Sequence, residues 1–281
     1  MGGIEALSRF EVFRQTTAGR LAMLEHQGQR STVLLIHGNS SCKEVFAHVV
    51  PMLIEVGYGV LAPDLPGHGD SENASDPHNT YSFPGYAAAL GELLDDAGVE
   101  APIIVGWSLG GHVAMELAAH RPTVRGLMVI GSPPCKPAPE ALEAAFRTHP
   151  TTLLAGKAEF STDDVKAYAA AMLGVGEPDA FLRMRVRRTD GLARKLMFSS
   201  ALAGVGVDQR LVAAEPSRPF AVVHGADDPF VRLDYLRSLH YGRLWRSEVV
   251  VLEQVGHAPH WQAPDFFTPI LLAFLNGLDA Q

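Results

Sequence analysis

The sequence predicts an α/β fold: a mostly parallel eight-stranded sheet with helices on both faces and a helical insertion after the sixth strand. Three observations predict it. Short β-branched and Leu-rich runs recur along the first half of the chain, apolar throughout as strands buried on both faces must be. Segments with apolar residues at helical spacing separate them, and such alternation favours parallel strands joined by crossover helices. The alternation then stops at Pro133, Pro134, Pro137 and Pro139 and resumes only near residue 219.

The elements follow in order. Segments 10–15 and 20–25 read as a polar-faced hairpin joined at Ala18-Gly19. The runs TVLLIH at 32–37, YGVLAP at 58–63, PIIVGW at 102–107 and GLMVIG at 126–131 supply the next four strands. Between the second and third of these, Tyr86, Ala89, Leu90, Leu93, Leu94 and Ala97 recur at helical spacing before Gly98. Residues 109–120 read as a helix stopped by Pro122. The insertion carries helix-like stretches at 140–147, 162–173 and 181–197. Strand signals return as PFAVVH at 219–224 and EVVVLE at 248–253. The expected organisation is a core built from 1–134 and 216–281, with a helical cap at 135–215. Insertions of this length in α/β domains are often lids over an active site.

Composition narrows the class without naming a chemistry. With 47% hydrophobic and 19% charged residues, the chain has ample means to bury a core. Lys plus Arg number 23 against 31 Asp plus Glu, a net charge of −8, which argues against a nucleic-acid or anionic-membrane partner. No run reaches the roughly 18 apolar residues of a membrane span, and residues 1–15 lack the pattern of a secretion signal. A cytoplasmic, unanchored protein is expected, and a monomer is compatible with this composition. Cys42 and Cys135 are too few for a disulfide framework or a structural zinc site and are expected as buried or half-buried thiols.

The chemistry is carried by Gly106-Trp107-Ser108-Leu109-Gly110-Gly111, which follows a strand and opens a helix. In G-x-S-x-G the chain reverses so sharply that the serine is strained and only small neighbours fit. A serine hydroxyl is a weak nucleophile, so it needs a base, and the base needs an orienting acid. His257 lies just after the last strand, and Asp227 and Asp228 just after the strand before it. In a parallel sheet, loops at the carboxyl ends of the strands share one rim, where Ser108 must also lie. The remaining histidines have plainer readings: His37 shapes a loop, His68 belongs to a tight turn, and His112 starts a helix. His260, three residues after His257, has no further histidine or cysteine partners in metal-ligand spacing, so neither a metal nor a cofactor is expected.

The order Ser108, Asp, His257 resembles the α/β-hydrolase fold family, as do His37-Gly38-Asn39, residues 64–71 (DLPGHGDS), and the Gly-x-x-Asp ending at Asp228. The resemblance implies Asp228 as the acid, with Asp227 left as a loop-stabilising carboxylate bonded to backbone N–H groups. It also implies an oxyanion hole from the N–H groups of Asn39 and Leu109, the Asn39 side chain adding either a further contact or a local turn bond. Serine at the nucleophile position disfavours the dehalogenase and epoxide-hydrolase chemistries of the same architecture.

Further segments, Arg125-Gly126-Leu127-Met128, Arg188-Thr189-Asp190-Gly191 and Asp228-Pro229-Phe230-Val231, make the chain resemble the metal-independent, quorum-quenching N-acyl-homoserine lactone hydrolases. Arg188 to Gly191 carries most of that likeness because lids set substrate choice. The departure is Asp228, where that subgroup is expected to carry glutamate. The implied substrate is a small acyl-lactone or ester, with Trp107, Phe160, Tyr168 and Met184 as candidate contacts and Leu153, Leu154, Met172, Phe181 and Met197 as further lid lining. The alternatives are a carboxylesterase or other lactonase with the same triad, and a non-catalytic ligand-binding relative.

Overall fold

The computed structural model describes residues 2–174, 176 and 178–280. Its strands are β1 (Glu11–Thr16), β2 (Gly19–His26), β3 (Thr32–Ile36), β4 (Gly59–Pro63), β5 (Ile103–Trp107), β6 (Gly126–Ile130), β7 (Phe220–Gly225) and β8 (Val250–Leu252). They form one sheet in the order β1-β2-β4-β3-β5-β6-β7-β8. β1 pairs antiparallel with β2 and β2 with β4, and every other pairing is parallel. Every residue of β4, β5, β6 and β7 is buried, as uninterrupted apolar runs require when helices cover both faces.

The first hairpin differs from its sequence reading. Thr16 pairs with Gly19, so the turn is Thr17-Ala18. β2 is not polar-faced, because it lies between β1 and β4 and buries Leu21, Ala22, Met23 and Leu24. Helices Phe83–Asp96 and Leu109–His120 occupy the crossovers. The last helix, Pro264–Asp279, buries Phe267, Leu271, Phe274, Leu275 and Leu278, residues three or four apart that form one apolar stripe.

Between β6 and β7 the described residues form helices Pro139–Ala145, Thr162–Leu173, Ala180–Arg188, Gly191–Leu202 and Gln209–Ala213, with a 3-10 stretch at Pro150–Gly156. The helix expected at 181–197 is broken at Thr189 and Asp190. Asp190 has three tertiary or capping duties that a continuous helix would forbid. Its N–H donates to Gly67 O at 2.9 Å, its Oδ1 caps the Leu192 N–H at 2.9 Å, and its Oδ2 accepts from Tyr81 Oη at 2.7 Å. The Arg188 to Gly191 motif is therefore an anchor of the insertion to the core, reinforced by Arg188 Nη2 donating to Ser71 O at 2.6 Å.

A buried charge cluster ties the same region to the sheet. The Lys43 ammonium is 1% exposed and lies 2.9 to 3.0 Å from carboxylates of Glu11, Glu44, Asp64 and Asp70. Burial alone would lower its pKa, but Asp64 and Glu44 outweigh that and hold the ammonium above the ordinary lysine value. Arg185, in helix Ala180–Arg188, reaches Asp70 at 2.6 Å and extends the cluster into the insertion. Glu11, Glu44 and Asp70 could also be seen as metal ligands, but here Lys43 is the cation they share. Cys42 and Cys135 are both buried and free. Among the described residues, no helix is long and apolar enough to cross a membrane.

Removing the central cation should leave the fully buried Asp64 carboxylate without its counter-charge. Lys43→Met is expected to cost about 3 to 5 kcal/mol in a urea unfolding titration, the range for stripping one partner from a buried pair. A loss below about 1 kcal/mol would show that the cluster is not a structural necessity.

Candidate active site

β5 ends at Trp107, and Ser108 then turns the chain with φ 54° and ψ −120°, a strained region for a residue with a side chain. Neighbouring bonds fix the turn. Ser108 N–H donates to Ile130 O at 2.9 Å, while its own carbonyl accepts from Gly111 N–H at 2.9 Å and Ser132 Oγ at 2.8 Å. The flanking glycines are a packing requirement. A Cβ on Gly106 would lie 2.3 Å from Gly110 O, and one on Gly110 would lie 2.1 Å from Ile36 O. Helix Leu109–His120 starts immediately afterwards, so the N–H groups of Leu109 and Gly110, which make no hydrogen bond among the described residues, lie beside the serine.

The structure brings Ser108, His257 and Asp228 together. His257 Nδ1 lies 2.7 Å from Asp228 Oδ2. With the carboxylate as acceptor, Nδ1 carries a proton, which in the neutral ring leaves the lone pair on Nε2. That Nε2 is buried without a hydrogen-bond partner among the described residues, and His257 and Ser108 line the same cavity. Asp228 Oδ1 accepts from the N–H groups of Phe230 at 2.7 Å and Val231 at 3.1 Å, which sets the plane of the carboxylate. Burial would raise the Asp228 pKa, but His257, with His224 and the Phe230 N–H, prevails and holds it below the ordinary aspartate value. Asp227 is exposed, so the loop-bracing bonds foreseen for it belong to Asp228.

The loop after β3 is held just as firmly. His37 Nδ1 donates to Gly38 O at 2.8 Å and its Nε2 accepts from Leu65 N–H at 2.9 Å, a pattern only the neutral ring can make. Burial pushes its pKa down to about 4, in keeping with that state. Asn39 Nδ2 donates to Ala155 O at 2.9 Å, so its side chain ties the loop to the insertion. Asn39 and Leu109 both line the cavity, and neither backbone N–H donates to another group among the described residues.

The cavity has a volume of about 330 Å³ and is walled largely by Phe83, Phe146, Met197, Phe198 and Phe230. Of the expected contacts, Tyr168 lines it, as do Leu153, Met172 and Met197. Three expected contacts do not. Trp107 is fully buried beneath the site, where its Nε1 donates to His257 O at 2.7 Å and so holds the His257 backbone. Phe160 lies behind Tyr168, edge-on at 5.5 Å, and under the Arg194 guanidinium at 4.0 Å. Met184 is 52% exposed on helix Ala180–Arg188, whose orientation is set by the bonds of Arg185 and Arg188 to Asp70 and Ser71. Leu154 and Phe181 are also absent from the lining, as is the Arg188 to Gly191 motif.

Sequence reasoning missed Phe83, His112, Phe146, Phe198 and Phe230 as cavity residues. Two carried a signal. His112 follows Ser108 by four residues, hence on the same helix face; it stacks on Phe83 with rings 13° apart and donates from Nδ1 to Gln209 Oε1 at 2.8 Å. Phe230 falls two residues after Asp228 and meets the His257 ring edge-on at 4.8 Å. His260 is buried against Phe46 and Trp107, with ring centroids 5.0 and 4.9 Å away.

A family model described as alpha/beta hydrolase fold matches residues 31–264. Among solved structures, N-acyl homoserine lactonase AidH complexed with N-butanoyl homoserine matches with a TM-score of 0.91 and 41% identity, over 95% of this chain and 97% of that one. Among curated proteins, the pimeloyl-[acyl-carrier protein] methyl ester esterase of Aromatoleum aromaticum is 30% identical over 84% of this chain and 94% of its own. The enzyme of the same name from Aeromonas hydrophila is 31% identical over 90% and 98%.

The lowered Asp228 pKa has a consequence for stability. An unfolded aspartate titrates near 3.9, so stabilisation from this carboxylate is complete above that value and is lost as the pH falls through the lower folded value. Urea titrations between about pH 3 and pH 7 should show the stability advantage of the wild type over Asp228→Asn shrinking below about pH 4. An advantage independent of pH in that window would contradict the assignment.

Proposed function

The chain belongs to the α/β-hydrolase fold family, and on that premise we propose that it is a serine hydrolase that opens the lactone ring of N-acyl homoserine lactones, a quorum-quenching reaction. One observation carries the reading: Ser108 and the Asp228-oriented His257 open into one apolar cavity. The 41% identity to N-acyl homoserine lactonase AidH, across 95% of this chain, supports the choice of substrate.

In this mechanism Ser108 Oγ attacks the lactone carbonyl while His257 Nε2 takes its proton, and Asp228 stabilises the resulting imidazolium. The N–H groups of Asn39 and Leu109 receive the developing oxyanion, each worth about 2.7 to 4 kcal/mol in the transition state. Collapse breaks the ring C–O bond, and His257 returns its proton to the leaving oxygen. Because the alcohol stays tethered to the acyl group, the acyl-enzyme retains every atom of the lactone. His257 then draws a proton from water, hydroxide adds to the acyl carbon, and Ser108 departs with a proton to give N-acyl homoserine. The apolar wall of Phe83, Phe146, Met197 and Phe198 suits the acyl tail.

A second reading, a carboxylesterase of simple acyl esters, is favoured by the identity of about 30% to methyl ester esterases over most of the chain. Incubation with an N-acyl homoserine lactone should release acid as lactone disappears, and Ser108→Ala should lower kcat by about 10⁴ to 10⁶. A Ser108→Ala protein as fast as wild type would sink both readings. A kcat/KM that favours p-nitrophenyl esters of equal acyl length over the lactone would select the carboxylesterase.

A further inference from the structure

Arg147, which lines the cavity, and Arg232, which lies beside it on a short antiparallel pairing, leave much of their charge uncommitted. Residues 145–147 and 230–232 run antiparallel: Phe146 bridges Val231, Arg147 N–H donates to Phe230 O at 2.7 Å, and Arg232 N–H donates to Ala145 O at 3.0 Å. The side chains repeat this reciprocity. Arg147 Nε donates to Val231 O at 3.2 Å, and Arg232 Nε donates to Phe146 O at 2.9 Å. Each guanidinium is thereby oriented through one nitrogen, and its Nη groups make neither an ion pair nor a hydrogen bond among the described residues.

Both arginines face two open clefts of about 730 and 650 Å³, and Arg147 also lines the cavity that holds Ser108 and His257. Arg237 lines the first cleft as well. The acidic residues of the clefts are Asp234 and Asp227, both exposed and neither paired with these arginines, and Asp228, which is committed to His257. An oriented guanidinium with free Nη donors is suited to the two-oxygen face of a carboxylate or phosphate.

We propose that Arg147 and Arg232 form an anion subsite at the mouth of the catalytic cavity, and that it takes the free carboxylate or phosphate at the far end of an acyl ester whose reacting carbonyl lies at Ser108. The proposal goes beyond the lactone reading, whose substrate is neutral, and adds anionic acyl esters as a substrate class. The reaction is ordinary hydrolysis: the ester C–O bond breaks, water supplies OH to the acyl carbon and its remaining proton to the alcohol.

The test compares p-nitrophenyl hemiesters of straight-chain dicarboxylic acids with p-nitrophenyl monocarboxylic esters of equal length. In Arg147→Gln/Arg232→Gln, the ratio of hemiester KM to neutral-ester KM should rise about tenfold or more, as expected for loss of a charge-assisted contact. On the wild type, inorganic phosphate should raise hemiester KM beyond the effect of sodium chloride at equal ionic strength and leave neutral-ester KM unchanged. This second arm needs no variant, so it decides the matter even if the double variant misfolds. Equal KM changes for both ester classes, no change for either, or phosphate without effect on the hemiesters would overturn the proposal. Lactone turnover, assayed separately, reports on the lactone reading alone.

Discussion

At Ser108 the backbone leaves β5 in a conformation that costs an L residue of order 1 to 3 kcal/mol, and the surrounding structure over-determines it. Ile130 O, Ser132 Oγ and the Gly111 N–H each hold one side of the turn. Gly106 and Gly110 let the first turn of the following helix approach β5 and β3 at distances no Cβ permits. The same geometry places the hydroxyl beside the start of that helix, where free N–H groups are concentrated. The rest of the site is arranged around this fixed point. β7 and β8 run parallel to β5 and end at the same edge of the sheet, so short loops suffice to carry Asp228 and His257 there.

Rigidity spreads outward through polar bonds. Trp107 holds the backbone of His257 from below, and two consecutive N–H groups hold Asp228 from behind. His37 locks the loop that presents Asn39, and the Asn39 side chain reaches into the insertion at Ala155. Arg185, Arg188 and Asp190 fasten the opposite side of the insertion to the core at Asp70, Ser71, Gly67 and Tyr81. The cavity is therefore a joint product of core and insertion. Its polar end is defined by the sheet, and its apolar walls are shared between Phe83 and Phe230 of the core and Phe146, Met197 and Phe198 of the insertion.

That division explains what was legible in the sequence. Apolar runs and glycine-flanked turns are local signals, and they located all eight strands, the elbow and the order of the three polar residues. The helices at 109–120 and 162–173 were legible for the same reason. The break at Asp190 was not, because it depends on bonds to Gly67 and Tyr81, more than a hundred residues away in the chain. Nor was it visible that Met184 would face solvent while Phe198 faced the cavity, since both sit on helices whose rotation is set by docking. Asp228, one methylene shorter than the glutamate expected there, still meets His257 at 2.7 Å because its loop leaves β7 directly beside it.

On the proposed mechanism, Ser108 becomes covalently acylated by a lactone whose alcohol stays attached. Acid-quenched wild-type protein, mixed with N-hexanoyl homoserine lactone and analysed by intact-mass and peptide mass spectrometry, tests this directly. An adduct equal to the full mass of the lactone is expected on the peptide that contains Ser108. An adduct on another residue, or a Ser108 adduct formed by simple esters but never by the lactone, would contradict it.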